Sequence, residues 1–224
     1  MKQTFTFKHT KKLFPVLALL LLVATACSKK NNDVQITGTA YIEVINASQT
    51  DSPFDFYVGS TKQNTQPIAY TQNTAYFQVN TGQQSASIKV NATGSTLAGF
   101  NITPIVNTYY SIFYFGGYTS AYVDDLSTVA DKARVRFINL NLGLTGNVDY
   151  GIKSASSPLA TNLGPAVNSA YYAVAPGSAF SVYATGTTTS ILDIPTTIVA
   201  GHVYTVYLSG ATTAALQATV LLQK

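Results

Sequence analysis

Residues 41–46 read Tyr41-Ile42-Glu43-Val44-Ile45-Asn46, and this block returns 93 residues later as Arg134-Val135-Arg136-Phe137-Ile138-Asn139. Both copies are rich in the branched and aromatic residues that favour β-strands. Internal similarity at a nearly constant spacing indicates two copies of one structural unit. Two further blocks return in the same order, namely 73–82 as 168–177 and 110–116 as 204–210. The sequence therefore predicts two domains.

Alternation of apolar and polar residues runs through both copies. It is clear in 54–58, 84–90 and 180–184, and a period of two indicates strands with one packed and one wet face. Gly, Asn and Pro separate these runs, and no stretch after Cys27 shows a sustained helical period. The predicted fold class is all-β, with two tandem immunoglobulin-like antiparallel β-sandwich domains after a lipoprotein signal peptide.

The first residues read as an export signal. Residues 1–12 carry four lysines and no acid, and an apolar run follows over 13–23. That run is shorter than the roughly 20 residues that a membrane-spanning helix needs. It ends in Ala24-Thr25-Ala26-Cys27-Ser28, which resembles the bacterial lipobox, with Ala24 where that motif usually has leucine.

The lipobox resemblance implies that Cys27 becomes the lipid-bearing first residue of the mature chain. The alternative is an ordinary secretory signal with an incidental cysteine. Cys27 is the only cysteine, so it cannot form a disulfide within the chain, and a leftover thiol in an exported protein needs an explanation. We therefore expect a lipid-anchored protein of the bacterial cell envelope, in the outer membrane, on either its periplasmic or its cell-surface side.

The predicted boundaries follow from the repeat and the export signal. They are a signal peptide over 1–26, a tether over 27–36, a first domain over 37–126, a linker over 127–132 and a second domain over 133–224.

The charge that remains after processing argues against a nucleic-acid partner. Four of the thirteen Lys and Arg lie in the signal peptide, and the chain has nine Asp and Glu, so the mature protein is formally neutral. Nucleic-acid binding would need a concentrated basic face.

The repeated blocks resemble a bacterial family, the domain of unknown function 4397, which is often found as tandem copies in exported lipoproteins. Its pattern starts with a strand like 133–139, and it places an Asp in the next strand. It then has a Tyr and a Gly before a further strand, and an acidic pair ends a copy. The matching residues here are Asp55, Tyr76, Gly82 and Asp124-Asp125 in the first copy, and Asp149, Tyr171 and Gly177 in the second. The resemblance implies a fold and a location, and no activity.

Candidates for chemistry are few in this sequence. His202 is the one histidine after Cys27, and no nucleophile elbow accompanies it. Asp55, Asp149 and the Asp124-Asp125 pair could supply oxygen ligands to calcium, but hydrogen bonding in turns is the favoured interpretation. We expect no catalytic residue, no metal and no cofactor.

An aromatic set on one strand face is the strongest functional candidate. Tyr109, Phe113 and Phe115 face away from the predicted core, and Tyr118 and Tyr122 extend them. Three interpretations stay open, with packing between the two domains or against a neighbouring strand favoured. The others are a protein contact site and a glycan-stacking platform.

The sequence thus predicts a membrane-anchored envelope lipoprotein that acts as a non-catalytic binding or structural module. Protein contact or adhesion at the envelope is the first hypothesis for its role. A carbohydrate-binding accessory protein is the alternative. The expected partners are the membrane, through lipid on Cys27, and an envelope protein or a glycan.

Overall fold

The computed structural model describes residues 38–153, 155–194 and 196–224. The predicted signal peptide 1–26, Cys27 and the tether 27–36 lie outside the described residues. All described residues belong to one compact unit of the chain, Ile36–Lys224. Among them, no helix has the length and apolar character needed to cross a membrane.

Strands account for nearly all regular structure in the described residues. The first half contains β1 (Thr39–Asn46), β2 (Phe54–Val58), β3 (Thr61–Lys62), β4 (Phe77–Asn80), β5 (Gln84–Val90), β6 (Thr96–Ile102), β7 (Tyr109–Phe115) and β8 (Tyr118–Asp124). The second half contains β9 (Ala133–Asn139), β10 (Val148–Ile152), β11 (Ala160–Leu163), β12 (Val167–Asn168), β13 (Tyr172–Val174), β14 (Phe180–Ala184), β15 (Ser190–Ile194), β16 (Val203–Ser209) and β17 (Gln217–Leu222). A single 3-10 turn, Thr213–Ala215, precedes β17. The predicted all-β sandwich class is confirmed.

Each half forms a sandwich of two sheets. In the first sandwich, the sheet β3-β2-β5-β6 covers the sheet β4-β1-β7-β8. In the second sandwich, the sheet β11-β10-β14-β15 covers the sheet β12-β9-β16-β17, with β13 also pairing with β9. The same strand order therefore occurs twice along the chain.

One strand pair in each sandwich differs from the antiparallel pattern expected from the sequence. β1 pairs with β7 in parallel, and β9 pairs with β16 in parallel, while the other pairs are antiparallel. Parallel neighbours need a long crossover connection. Here the crossover contains the outer sheet of each sandwich together with the inner edge strands, β4 in the first and β12 and β13 in the second.

The matched sequence blocks have matching structural roles. Asn46 and Asn139 end β1 and β9, and the side chain of each donates to a backbone carbonyl of a later segment, that of Ile68 before β4 or that of Leu163 at the end of β11. Each buried amide thereby finds an acceptor and ties the end of its strand to a neighbouring segment, which explains why Asn ends both blocks.

Alternation along the inner strands divides their side chains between two layers. Ile112 and Tyr114 of β7 lie in the core of the first sandwich, and Val206 and Leu208 of β16 lie in the core of the second. These are the core faces that the sequence predicts. Successive residues point to opposite faces, so the intervening side chains leave both cores.

The intervening side chains form a third apolar cluster, the interface cluster, between the two inner sheets. Its buried members are Ile45, Ala47, Phe113, Phe115, Tyr122, Ile138, Leu140, Tyr207 and Leu221. They come from both halves, so the inner sheets lie back to back and the molecule has four sheet layers. The predicted division into two domains at 127–132 stays a prediction, because the described residues form one unit.

Replacing Phe56 by alanine should lower the free energy of unfolding by about 3 to 5 kcal/mol. Phe56 is fully buried between the sheets of the first sandwich and contacts the rings of Phe77 and Phe100. Urea unfolding measures the change. The control Ile191→Thr, at an exposed position of β15, should change stability by less than about 0.5 kcal/mol. Equal effects would contradict the assigned core.

Candidate functional site

Three of the five aromatic residues of the predicted contact patch are buried between the two sandwiches. Phe113, Phe115 and Tyr122 belong to the interface cluster. The ring of Phe113 meets that of Tyr207 edge-on at 5.2 Å, and Tyr122 donates a hydrogen bond to the carbonyl of Ala166 at 3.0 Å. Of the interpretations left open by the sequence, this is packing between the two halves.

The other two patch residues lie outside the interface cluster. Tyr109 stacks on Tyr41 with ring centroids 4.5 Å apart and meets the edge of Tyr76. Tyr118 follows the two-residue Gly116-Gly117 turn and is 62% exposed. Both glycines have positive φ, which a tight hairpin turn of this kind requires. The structure therefore does not bring the five rings together on one surface.

A buried ion pair joins the two sandwiches beside the interface cluster. Arg136 of β9 donates to Asp124 of β8 at 2.6 Å, and both side chains are almost completely buried. The guanidinium also donates to the carbonyl of Val123 and to the hydroxyl of Thr205. The ring of Tyr171 lies 5.0 Å from the guanidinium carbon. Arg136 therefore has partners on both halves of the chain.

A second buried carboxylate, Glu43 of β1, lies in the same network. Its Oε1 atom is 2.8 Å from the Ser111 hydroxyl and 3.1 Å from the Gln223 amide nitrogen. Ser111 is in turn 2.7 Å from Asp124, to which Tyr76 also donates. Burial raises the pKa of Glu43, the hydrogen bonds from Ser111 and Gln223 oppose this rise, and the charge of Asp124 adds to it.

The network is built from equivalent positions of the two halves. Strand register pairs Glu43 with Ser111 on one side and Arg136 with Thr205 on the other. Tyr76 donates to Asp124, as Tyr171 donates to Gln223. We refer to these eight residues as the joint: Glu43, Tyr76, Ser111, Asp124, Arg136, Tyr171, Thr205 and Gln223.

The two matching aspartates, Asp55 and Asp149, are buried and internally bonded. Asp55 accepts from Asn64 and Asn91 and pairs with Lys62 at 2.8 Å. Burial alone would raise the pKa of Asp55, but its three partners lower it below the ordinary value. Asp149 accepts hydrogen bonds from the backbone amides of Asn162 and Gly186 and from the Thr185 hydroxyl. Each carboxylate therefore holds the loops beside its strand.

The remaining candidates lie at the surface and do not converge. Asp125 pairs with Arg134 at 2.7 Å and accepts from Ser127, and these hydrogen bonds lower its pKa. The His202 ring contacts the carbonyl of Ala200. Within the described ranges, no group of three His, Cys, Asp or Glu side chains could hold a metal ion.

An open cleft lies between the two sheets of the first sandwich. β6 is the edge of the outer sheet and β8 is the edge of the inner sheet. The cleft has a volume of about 350 Å³ and is lined by Ile42, Phe100, Asn101, Ile102, Thr103, Pro104, Tyr110, Ile112, Thr119, Ser120 and Ala121. Its walls are apolar side chains of the first core, and its rim carries hydroxyls and one amide.

Small side chains on β8 open this cleft. Ala121 pairs with the core residue Ile112, so it points into the sandwich, yet it is exposed. The equivalent position in the second sandwich is Val220, which pairs with Val206 and packs against the second core. There β15 and β17 contact each other. The matching edge of the second sandwich carries a more open and more polar groove of about 450 Å³, which is lined by Thr71, Thr196, Thr197, Tyr204, Gln217, Ala218, Thr219, Val220 and Leu222.

Sequence reasoning missed the joint and the cleft. Glu43 and Arg136 were visible as opposite charges at one position of a repeated apolar strand. Gln223 stands near the chain end, where the first copy has Asp124. A charge on the outward face of a strand is usually solvated, so no local pattern pairs these residues. Only the back-to-back sheets bring them together.

Arg136→Met should destabilise the fold by about 3 to 5 kcal/mol, because it leaves the Asp124 carboxylate buried without its cation. Adding Asp124→Asn removes that charge, so the double variant should recover part of the loss. Urea unfolding of the wild type, both single variants and the double variant measures the coupling. Strictly additive effects would contradict a direct pair.

Comparison with known proteins gives one family match and several distant structural similarities, of which three are described. No curated protein matches the chain in sequence. The Eubacterium rectale Amy13K module CBMbc (family CBM26), solved with maltoheptaose, is 12% identical, with coverage of 82% of this chain and 96% of that chain and a TM-score of 0.28. A family 41 carbohydrate-binding module from streptococcal virulence factors, described for alpha-glucan recognition, is 12% identical. The match covers 78% of this chain and 95% of that chain, with a TM-score of 0.28. The Bacillus anthracis TIE protein is 9% identical, and the match covers 78% of this chain and 34% of that chain, with a TM-score of 0.25. TM-scores this low do not support a transfer of function.

The family match covers the first sandwich and the start of the second. The model of the domain of unknown function DUF4397 matches residues 40–151, which is half of the chain and runs from β1 to β10. This range includes the first-copy residues that carry the resemblance in sequence, from Asp55 to Asp124-Asp125. The chain therefore belongs to the DUF4397 family.

Proposed function

We propose that this protein is a non-catalytic binding module of the bacterial envelope and that it contacts a protein partner through the cleft of the first sandwich. The observation that carries the proposal is the difference between the two halves. One sandwich has an apolar cleft between two edge strands that reaches the core residues Ile42 and Ile112, whereas the groove at the matching edge of the other sandwich is more polar and more open. The first sandwich is then the binding half, and the second sandwich supports its inner sheet.

The edges of the cleft favour an extended polypeptide segment as the ligand. Within the part of the chain that the structure describes, β6 and β8 each have one side without a neighbouring strand in their sheet. An added strand can bond to such an edge through its backbone, while alternate side chains enter a pocket. Val123, which is 60% exposed, continues the apolar face of β8 beyond Ala121.

The structure does not expose the aromatic patch that the sequence suggested as a glycan-stacking platform. Sugar rings stack on exposed aromatic faces, but Phe113 and Phe115 are buried between the sandwiches. Tyr118 is the exposed ring of the predicted patch, and it lies at a turn without a second exposed patch ring beside it. The support for a protein ligand therefore comes from the edge strands of the cleft and not from the patch.

Location and domain organisation complete the proposal. A lipid on Cys27 would hold the protein at the outer membrane, with the residues after it as a tether. The two sandwiches would be tandem copies of one unit. The equivalent strand order and the equivalent Asn46 and Asn139 bonds support the copy relationship.

A photo-crosslinking residue at position 123 should give a discrete protein adduct on intact cells. The same residue at the equivalent, similarly exposed position 222 is the matched control and should give none; the native exposures are 60% for Val123 and 53% for Leu222. Adding Ala121→Leu, which fills the cleft, should abolish the adduct at 123. Gel shift and mass spectrometry of the adducts measure both results.

Two outcomes would contradict the proposed contact. Equal adducts at 123 and 222, or an adduct that Ala121→Leu leaves unchanged, would place the partner elsewhere. Calorimetric binding of a purified oligosaccharide, lost in Ala121→Leu, would replace the protein ligand by a glycan.

Cys27→Ser should release the protein from the membrane fraction, because the hydroxyl cannot replace the thiol as the lipid acceptor. Loss of several acyl chains removes about 0.8 kcal/mol of membrane affinity per buried methylene. Fractionation and incorporation of labelled fatty acid measure the effect. A variant that still sediments with membranes, from a parent that takes up no label, would contradict the anchor.

A further inference from the structure

Two carboxylates share one hydroxyl in the joint. The Ser111 oxygen is 2.8 Å from Glu43 Oε1 and 2.7 Å from Asp124 Oδ2, which are both hydrogen-bond lengths. A serine hydroxyl has one proton and can donate to one of them only, while an ionised carboxylate can only accept. The other contact would then join two oxygens with no hydrogen between them. The geometry therefore needs one more proton than a serine and two carboxylates supply.

The partners of the two acids assign this proton to Glu43. Asp124 faces the guanidinium of Arg136 and accepts from Tyr76, and both contacts favour its ionised form. The other partners of Glu43 are uncharged, namely the amides of Gln223 at 3.1 Å and Asn73 at 3.3 Å and the hydroxyl of Tyr76. A neutral Glu43 also leaves the buried charges of Asp124 and Arg136 balanced.

A protonated Glu43 completes the hydrogen bonds of Ser111. The carboxyl group of Glu43 then donates to the Ser111 oxygen, which donates to Asp124. The Gln223 amide, 2.9 Å away, donates to the second lone pair of the same oxygen. Gln223 belongs to the second sandwich, so its amide links the Glu43–Ser111–Asp124 chain of the first sandwich to the opposite half.

The other ionisable groups facing Glu43 keep their charge state in mild acid and at neutral pH. Burial raises the pKa of Tyr76 well above its ordinary value, and burial raises that of Tyr171 to about 12. The Arg136 guanidinium stays charged over this range. At the rim, Arg134 pairs with Asp125, whose lowered pKa restricts its titration to strong acid. Glu43 and its neighbour Asp124 are therefore the carboxyl groups inside the joint.

We propose that Glu43 is protonated in the closed interface, so that the contact between the two sandwiches is a pH-sensitive joint that tightens in mild acid and loosens as the pH rises. Burial in the folded protein raises the pKa of Glu43 above its ordinary value of 4.5. The stabilisation that this proton gives to the folded state is complete below pH 4.5. It is lost as the pH rises through the pKa of Glu43 in the folded protein. Ionisation then places a second negative charge beside Asp124.

A carbon-13 label reads this titration directly, because Glu43 is the only glutamate in the chain. With glutamate labelled at its carboxyl carbon, the folded protein should show a single titrating glutamate carboxyl signal in NMR spectra. Its midpoint should lie above 4.5. A midpoint at or below 4.5 would overturn the proposal even if no variant folds.

Glu43→Gln tests the consequence for the interface. The amide mimics the neutral acid, so the urea midpoint of this variant should no longer fall as the pH rises from 4.5 towards 8, whereas that of the wild type should. The control Asp125→Asn alters the rim pair and should keep the wild-type fall. A wild-type pH profile in Glu43→Gln would overturn the proposal.

Hydrogen exchange shows where the loosening occurs. After correction for the intrinsic pH dependence of exchange, peptides over 109–124 and 203–223 should lose protection in the wild type as the pH rises. Peptides over the outer strand 84–90 should keep their protection as the pH rises. In Glu43→Gln, the protection of 109–124 and 203–223 should not change with pH. Uniform loss over the whole chain would contradict a joint.

Discussion

The Arg136–Asp124 ion pair between the two inner sheets is the contact on which the arrangement of the molecule depends. Removing both charges from water is costly, and the cost is offset only when the geometry supplies every hydrogen bond. Here Thr205, Tyr76 and a backbone carbonyl supply the rest. Apolar packing of Phe113 on Tyr207 could tolerate a shift between the sheets, but this pair cannot. We interpret the pair as what fixes their register.

Divergence between the two halves makes that contact possible. If both copies had kept the same residues, the interface would place like charges opposite each other. Instead, Glu43 stands where the other half has Arg136, and Asp124 stands where the other half has Gln223. Complementary charge across an interface also opposes incorrect pairing. The same divergence leaves one cation for two carboxylates, which is the origin of the proton requirement at Glu43.

The outer parts of the sandwiches have diverged in a different way. Ala121 and Thr119 line an apolar cleft in the first sandwich, whereas Val220 and Ala218 line a more polar and more open groove in the second. An edge strand with an exposed apolar face is prone to unwanted pairing unless something covers it. In the proposed function, the apolar cleft makes the first sandwich the binding half, while the second sandwich contributes half of the joint.

The sequence by itself determined the all-β class, the repeat and the core faces of β7 and β16, because alternation and turn residues are local signals. It also indicated the DUF4397 family through blocks such as 133–139. Only the tertiary structure decided the rest. The outward residues Phe113, Glu43 and Arg136 look solvated in one strand, and the parallel β1–β7 pair joins segments far apart in the chain. Burial of an outward face depends on what lies across from it, and no local pattern contains that information.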